Sequence, residues 1–387
     1  MLTASGYFDG AAIFDRVAED TSLGSHADPA VRERYIAIVE QFNDFAKPRE
    51  DAVEGSLRDL RRIVEIRLQL SRDWADYPAI LDEEITRPIF VMGFPRGGTT
   101  LSQKLLSLDW GHRTPRYMDG LFPSPPPGLD PDADAEAFRA GDAYTQHVID
   151  RERMALVAHP YHDKGAMAEA EDEWGACLDF RFVYPLHFQN TPSVPPTLPP
   201  SDPHAHYLFQ KNMMRQYQWK RPTARWVGKG VLHHYMAPSL FDVFPDAIGV
   251  WCHRPIEDQI ASMISINNIF YQPIRGGNWR EEPSRMVEAV EAGVQAVLAN
   301  PMVNDPRIYH LRFADLVKDP VAALAGVYES QGLPFTSYFE QRIRAWLAHP
   351  SNKVDRHGRF NHSPEQHGLD RKELARIFKP YKERFGL

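Results

Sequence analysis

Eight residues, Gly93 Phe94 Pro95 Arg96 Gly97 Gly98 Thr99 Thr100, lie between a short apolar run, Ile89 to Met92, and a helical pattern from Leu101 to Leu108. That order predicts strand, glycine-rich turn and helix. In such a turn the backbone N–H groups converge at the positive end of a helix and form a ready anion site. The spacing nearly satisfies the nucleoside triphosphate loop GxxxxGK[ST], but Thr99 stands where the lysine belongs and the positive charge sits inside the loop, on Arg96. A triphosphate enzyme of that kind also needs a carboxylate after a second buried strand to hold magnesium. Here the second apolar strand, Ala247 to Cys252, runs into His253 Arg254 Pro255. Arg254 repels a metal and attracts an anion.

These groups need a scaffold with strand ends side by side. The run Ala247 to Cys252 is almost continuously apolar, as a strand buried on both faces of a parallel sheet must be. Two further strands are predicted at Ala224 to Val227 and Ile308 to Leu311, separated by helical patterns at His206 to Trp219, Ile256 to Ile266, Arg285 to Leu298 and Val321 to Gln331. Alternating strands and helices predict an α/β protein with a doubly wound, mainly parallel sheet. Before it, Val31, Tyr35, Ile38, Val39 and Phe42, then Leu57, Leu60, Val64, Leu68 and Trp74, recur at helical spacing. The chain therefore divides into an N-terminal helical region, residues 1–85, and an α/β domain, residues 86–387. The stretch Tyr184 to His204 holds seven prolines and predicts a long loop or lid around residues 184–206.

Composition narrows the partners. The 387 residues are 43% hydrophobic and 25% charged, which excludes disorder and coiled coil. Lys plus Arg number 44 against 52 Asp plus Glu, a net charge of -8 that argues against nucleic acid or anionic membrane as a general partner. Any anion must be held by a local cluster. Cys177 and Cys252 form neither a disulfide framework nor a zinc set, which fits a reducing cytoplasm. No stretch approaches the roughly 18 apolar residues of a membrane span, and the 16 histidines show no metal-ligand spacing.

The segment Pro95 to Leu101, PRGGTTL, resembles the loop that binds the 5'-phosphosulfate of 3'-phosphoadenosine 5'-phosphosulfate (PAPS) in sulfotransferases, with Gly97 replacing the usual serine. His253 Arg254 Pro255 followed by Ser262 is similar to the family's 3'-phosphate motif. Trp226 to His233 is similar to its WxxKxPxH segment, with Val231 replacing proline, and Asp119 falls where bacterial members carry glutamate. The run Arg356 His357 Gly358 Arg359 Phe360 resembles the late loop that closes over the 3'-phosphate, ahead of a last helix ending in Tyr381 and Phe385. The resemblance covers residues 86–387. It implies PAPS as donor, adenosine 3',5'-bisphosphate as product, and metal-free, in-line transfer to a hydroxyl or amine.

On that reading two separate cationic pockets are needed: Arg96 with Gly97, Gly98, Thr99 and Thr100 for the phosphosulfate, and Arg254 with Ser262 for the 3'-phosphate. Arg356, His357 and Gly358 join the second. Arg96 leads for stabilising the leaving oxygen and Lys229 follows. Asp119 leads as general base, although an Asp-Gly turn explains it equally well. His233 and the run Glu169, Glu171, Asp172 and Glu173 come next as bases, with a solvent-exposed helix N-terminus as the plainer reading of that run. Phe122, Trp174, Phe180, Phe182, Phe188 and Tyr207 are read as the lining of an apolar cavity for a small-molecule acceptor, apolar or aromatic. Two alternatives stand beside this: an ATP-dependent phosphoryl transferase using Asp315 as its strand-end carboxylate, and a non-catalytic nucleotide binder. Arg254 could instead pair with Glu257 or Asp258. The oligomeric state stays open, a homodimer included.

Overall fold

Strand β1 (Ile89–Met92) is apolar and buried at every position, as a strand covered on both faces requires. The structure is a computed structural model that describes residues 1–48, 50–152, 154–184, 187–188, 190–191, 198–275 and 279–387. In it β1 is the central strand of a five-stranded sheet of order β2–β3–β1–β4–β5, with β2 at His112–Arg113, β3 at Arg225–Lys229, β4 at Ile248–His253 and β5 at Ile308–Arg312. All four pairings are parallel, and β1 is registered on β3 (Ile89 on Val227) and on β4 (Ile89 on Ile248). The doubly wound α/β sheet is present. The two-residue β2 carries no apolar pattern and is made by its pairing with β3 rather than by its own composition.

Alternation sends β1 side chains to two cores. Phe90 and Met92 join Trp226 and Trp251 on one face, while Ile89 and Val91 join Val227, Val250 and Cys252 on the other. The first core continues into the N-terminal helices Gly10–Asp20, Pro29–Phe45 and Val53–Asp76 through Phe14, Tyr35, Ile38, Leu60 and Val64. The second is closed by the helices Thr99–Leu106, Pro320–Ser330 and Ser337–Ala348. The helices Gly10–Asp20, Pro131–Arg151 and Ser337–Ala348 have no counterpart among the sequence expectations. In Pro131–Arg151 the cause is dilution, because its large apolar residues are few and Phe138 is exposed.

Much of the expected lid falls on residues 185–186, 189 and 192–197, which lie outside the described residues. The end of that stretch is helical. Asp202 accepts from the Ala205 amide at 3.0 Å and starts the helix Pro203–Gln218, with Pro203 in the first turn where proline costs nothing.

Candidate active site

The carboxyl ends of β1, β3, β4 and β5 meet at the point where connections depart to opposite sides of the sheet, the usual ligand crevice of an open α/β fold. After β1 the chain turns sharply through Gly93 (φ +135°) and Gly98 (φ +101°). A Cβ on Gly93 would lie 2.5 Å from the Cys252 carbonyl oxygen, and one on Gly98 would lie 2.5 Å from Phe313 Cδ2. Only glycine fits either position. Arg96 itself has φ +69°, a strained conformation for a side-chain-bearing residue, in a turn closed by the Gly97 amide donating to the Phe94 carbonyl at 3.1 Å. Gly97 is also constrained: its Cβ would meet the Phe94 carbonyl at 2.9 Å and Gln259 Oε1 at 3.2 Å, so the serine usual in the resembled loop would force both to move. The helix Thr99–Leu106 then presents first-turn amides that no helical carbonyl can accept.

The cations expected of the two anion pockets form a cationic wall along one cavity. Arg96 Nε donates at 2.9 Å to Ser262 Oγ, the hydroxyl expected to serve Arg254, and Arg96 Nη1 lies 3.3 Å from His159 Nε2. Arg254 leaves the end of β4 with its guanidinium 5.0 Å from the centre of the Phe313 ring. Burial first, and then the charge of Arg254, bring the Arg96 pKa down to about 10. The alternative ion pair of Arg254 with Glu257 or Asp258 does not form: Asp258 binds Arg371 at 2.7 Å and Glu257 faces Lys382 at 3.6 Å. Among the described residues no carboxylate comes within ion-pair distance of Arg96 or Arg254. Their field reaches His362, whose pKa is lowered by burial and then by these two cations.

A cavity of about 470 Å³ opens here. Its polar lining includes Arg96, Thr99, Thr100, Arg254, Lys229 and Glu171, and its apolar wall includes Phe313, Leu316, Val317, Trp346 and Val354. Lys229, the last residue of β3, donates to the Glu171 carboxylate, which also accepts from the Tyr184 hydroxyl. Glu171 is therefore a cavity carboxylate anchored by two donors. Its neighbours turn inward as well: Glu169 binds Lys104, Asp172 accepts from His233 at 3.0 Å, and the fully buried Glu173 accepts from the Leu232 amide at 2.6 Å. Burial drives Glu173 up to about 8. The expectation of a charged, solvated helix N-terminus is overturned, because the only helix there is the four-residue, buried Glu173–Ala176.

Asp119 and His233 do not line this cavity. Asp119 is buried and closes a capping box, accepting from the Arg116 amide at 3.0 Å with the Arg113 guanidinium 3.9 Å away. Burial raises its pKa against the pull of Arg113. His233 is fully buried between the Asp172 carboxylate and the Tyr207 hydroxyl, 2.9 Å from Nδ1. Burial disfavours its charged form, but Asp172 together with Glu173 and Glu171 outweighs that and its pKa is raised. Arg356, His357 and Gly358 also fall outside the lining, although Asn352, Lys353 and Val354 of the same segment belong to it. Asp163 holds both side chains, accepting from Arg356 at 2.8 and 2.9 Å, with His357 Nε2 at 2.8 Å.

The expected aromatic lining is core. Trp174, Phe180, Phe182, Phe188 and Tyr207 are all buried in the first core, with Phe122 packed against it. The rings that line the cavity are Tyr161, Phe313 and Trp346. Asp315, the carboxylate required by a phosphoryl transferase, is bound by Arg312 at 2.7 Å and is not part of the lining. Among the described residues no cluster of three or more metal-ligating side chains occurs. The Lys229–Glu171 contact escaped sequence reasoning because no spacing rule joins residues 58 positions apart.

Residues 88–337 match the model of the sulfotransferase family. Omega-hydroxy-beta-dihydromenaquinone-9 sulfotransferase Stf3 from Mycobacterium bovis is 25% identical over 328 residues, 72% of this chain and 76% of its own, and the Stf3 of Mycobacterium tuberculosis matches to the same extent. The fold is that of solved sulfotransferases. STF9 from Mycobacterium avium superposes with a TM-score of 0.74 at 23% identity, covering 100% of this chain and 97% of STF9. STF1 from Mycobacterium tuberculosis gives 0.70 at 19% identity, covering 97% and 99%.

Proposed function

The chain belongs to the sulfotransferase family, and we propose that it moves a sulfuryl group from PAPS to a hydroxyl of a small apolar acceptor. The observation that carries this reading is the pair of guanidinium groups, Arg96 and Arg254, facing one cavity beside the glycine-rich loop with no described carboxylate within ion-pair distance. A donor set of two guanidiniums, helix-start amides and the hydroxyls of Thr99 and Thr100 fits a ligand with several phosphate-like oxygens. Arg96 and the loop would hold the phosphosulfate, and Arg254 the 3'-phosphate. When bound, PAPS supplies the activated sulfuryl group and leaves adenosine 3',5'-bisphosphate.

Each protein group then has a task. Arg96 offsets charge on the leaving oxygen. Glu171, oriented by Lys229 and Tyr184, takes the acceptor proton, the role expected of Asp119. The name of the Stf3 relatives supports an apolar alcohol as acceptor. The family match begins at residue 88, which supports a boundary near residue 85 between the helical region and the α/β domain. A cytoplasmic site of action is supported by the free, buried thiols of Cys177 and Cys252, and no described helix is long and apolar enough to cross a membrane. Phosphoryl transfer is not favoured, since Asp315 is engaged by Arg312.

The test is thermal stabilisation by adenosine 3',5'-bisphosphate, compared with AMP and with ATP plus magnesium, followed by transfer from PAPS to apolar alcohols. Selective stabilisation by the bisphosphate is expected. Stabilisation by ATP with magnesium alone would overturn the reading.

A further inference from the structure

We propose that Tyr381, acting through His253 and His310, positions Arg254 and the glycine-rich loop, so that nucleotide discrimination depends on side chains that do not touch the cavity. This rests on the reading of Arg254 as the ligand of the 3'-phosphate.

A buried hydrogen-bonded chain runs behind the site. The Tyr381 hydroxyl lies 2.7 Å from His253 Nδ1, His253 Nε2 lies 2.8 Å from His310 Nδ1, and His310 Nε2 lies 2.8 Å from the Val303 carbonyl oxygen. A carbonyl can only accept, and with His310 kept neutral by burial that fixes the protons of both rings. His310 Nε2–H donates to Val303, so a neutral His310 offers Nδ1 as acceptor; His253 donates to it from Nε2, leaving its own Nδ1 to accept from Tyr381. In this arrangement both imidazoles are neutral, and burial lowers the pKa of each.

Three contacts direct this chain at the site. His253 ends β4, and Arg254 follows it. An imidazole locked in place at the last residue of β4 restrains the backbone from which Arg254 departs. Phe385 stacks on the His253 ring at 3.8 Å between centroids, and the loop residue Phe94 meets the Tyr381 ring edge-on at 5.8 Å. One tyrosine thus braces both halves of the cationic wall, and neither it nor either histidine lines the cavity.

The test compares the Kd of adenosine 3',5'-bisphosphate with that of AMP, by calorimetry, in the full-length protein. Tyr381→Phe is expected to lower the preference for the bisphosphate about 5-fold, the scale of one net hydrogen bond. His253→Gln, which keeps one donor and one acceptor, is expected to retain the preference within about 2-fold. In an Arg254→Ala background, Tyr381→Phe is expected to change the preference no further. Equal weakening of both ligands by Tyr381→Phe, or an unchanged preference in a folded variant, overturns the proposal. Should Tyr381→Phe not fold, His310→Leu, which removes the acceptor of His253, carries the same comparison with the same outcomes. A wild-type protein indifferent to the 3'-phosphate would instead sink the functional reading on which this rests.

Discussion

The two charged regions at the carboxyl edge of the sheet are built on opposite rules. On the cationic side, Arg96 and Arg254 face the cavity with no described carboxylate within ion-pair distance, and what they touch includes Ser262, His159, the Ala158 carbonyl and the Phe313 and Phe360 rings. On the acidic side, Glu169, Glu171, Asp172 and Glu173 are each met by a donor from the protein: Lys104, Lys229, His233 and the Leu232 amide. A buried charge without a protein counter-ion is costly unless a ligand supplies one, whereas a paired charge is framework. The difference marks the cationic side as the place of binding. It also isolates Glu171, the one member of the acidic run whose carboxylate lines the cavity.

The sharpest way to break this contrast is to remove the loop cation. Arg96→Ala is expected to reduce kcat with PAPS by about 10²–10³-fold, as for loss of one preorganised donor at a developing anion. A loss of only a few-fold would mean that the unpaired side binds without assisting transfer. Glu171→Gln is expected to lower kcat by about 10²-fold with little change in the KM for PAPS. Asp119→Asn serves as its control and should leave kcat near the wild-type value. Arg254→Ala is expected to weaken adenosine 3',5'-bisphosphate by about 10–100-fold, the loss of a charge-assisted bond, while AMP affinity stays nearly constant.

Smaller effects probe the framework. His187, His206 and His234 are buried neutral, each with its pKa lowered to about 3 by burial. Their folded values lie below the ordinary 6.5, so the unfolded chain binds protons first and stability falls as pH drops from 6.5 toward 3. Each such histidine sets a slope of about 1.4 kcal/mol per pH unit over that range, measurable by denaturant unfolding at stepped pH. Glu173 acts in the opposite sense. Raised to about 8, it is stabilising while protonated, and its contribution is lost as pH rises from the ordinary 4.5 through 8. Glu173→Gln should flatten the alkaline side of the same profile. The least effect is the loss of stability in Asp119→Asn, about 1 kcal/mol for a weakened helix cap.

Local pattern settled a definite part of this protein. Pro95 to Thr100 after an apolar run, and Arg254 before a proline, could be read as anion-binding turns because each lies within one strand–turn–helix unit, where neighbours in sequence are neighbours in space. The parallel sheet followed from the same local periods. Contacts between distant segments were beyond that kind of reading. Arg96 reaching Ser262, Lys229 reaching Glu171, Asp163 capturing Arg356, and Tyr381 reaching His253 each join separate elements, and packing at one sheet edge decides them. The same packing moved Asp119 and His233 away from the cavity and turned the expected acceptor aromatics into core. Side-chain type states what a residue can do chemically, but burial and partners decide which residues are left exposed to a ligand, and both depend on elements brought together by the whole fold.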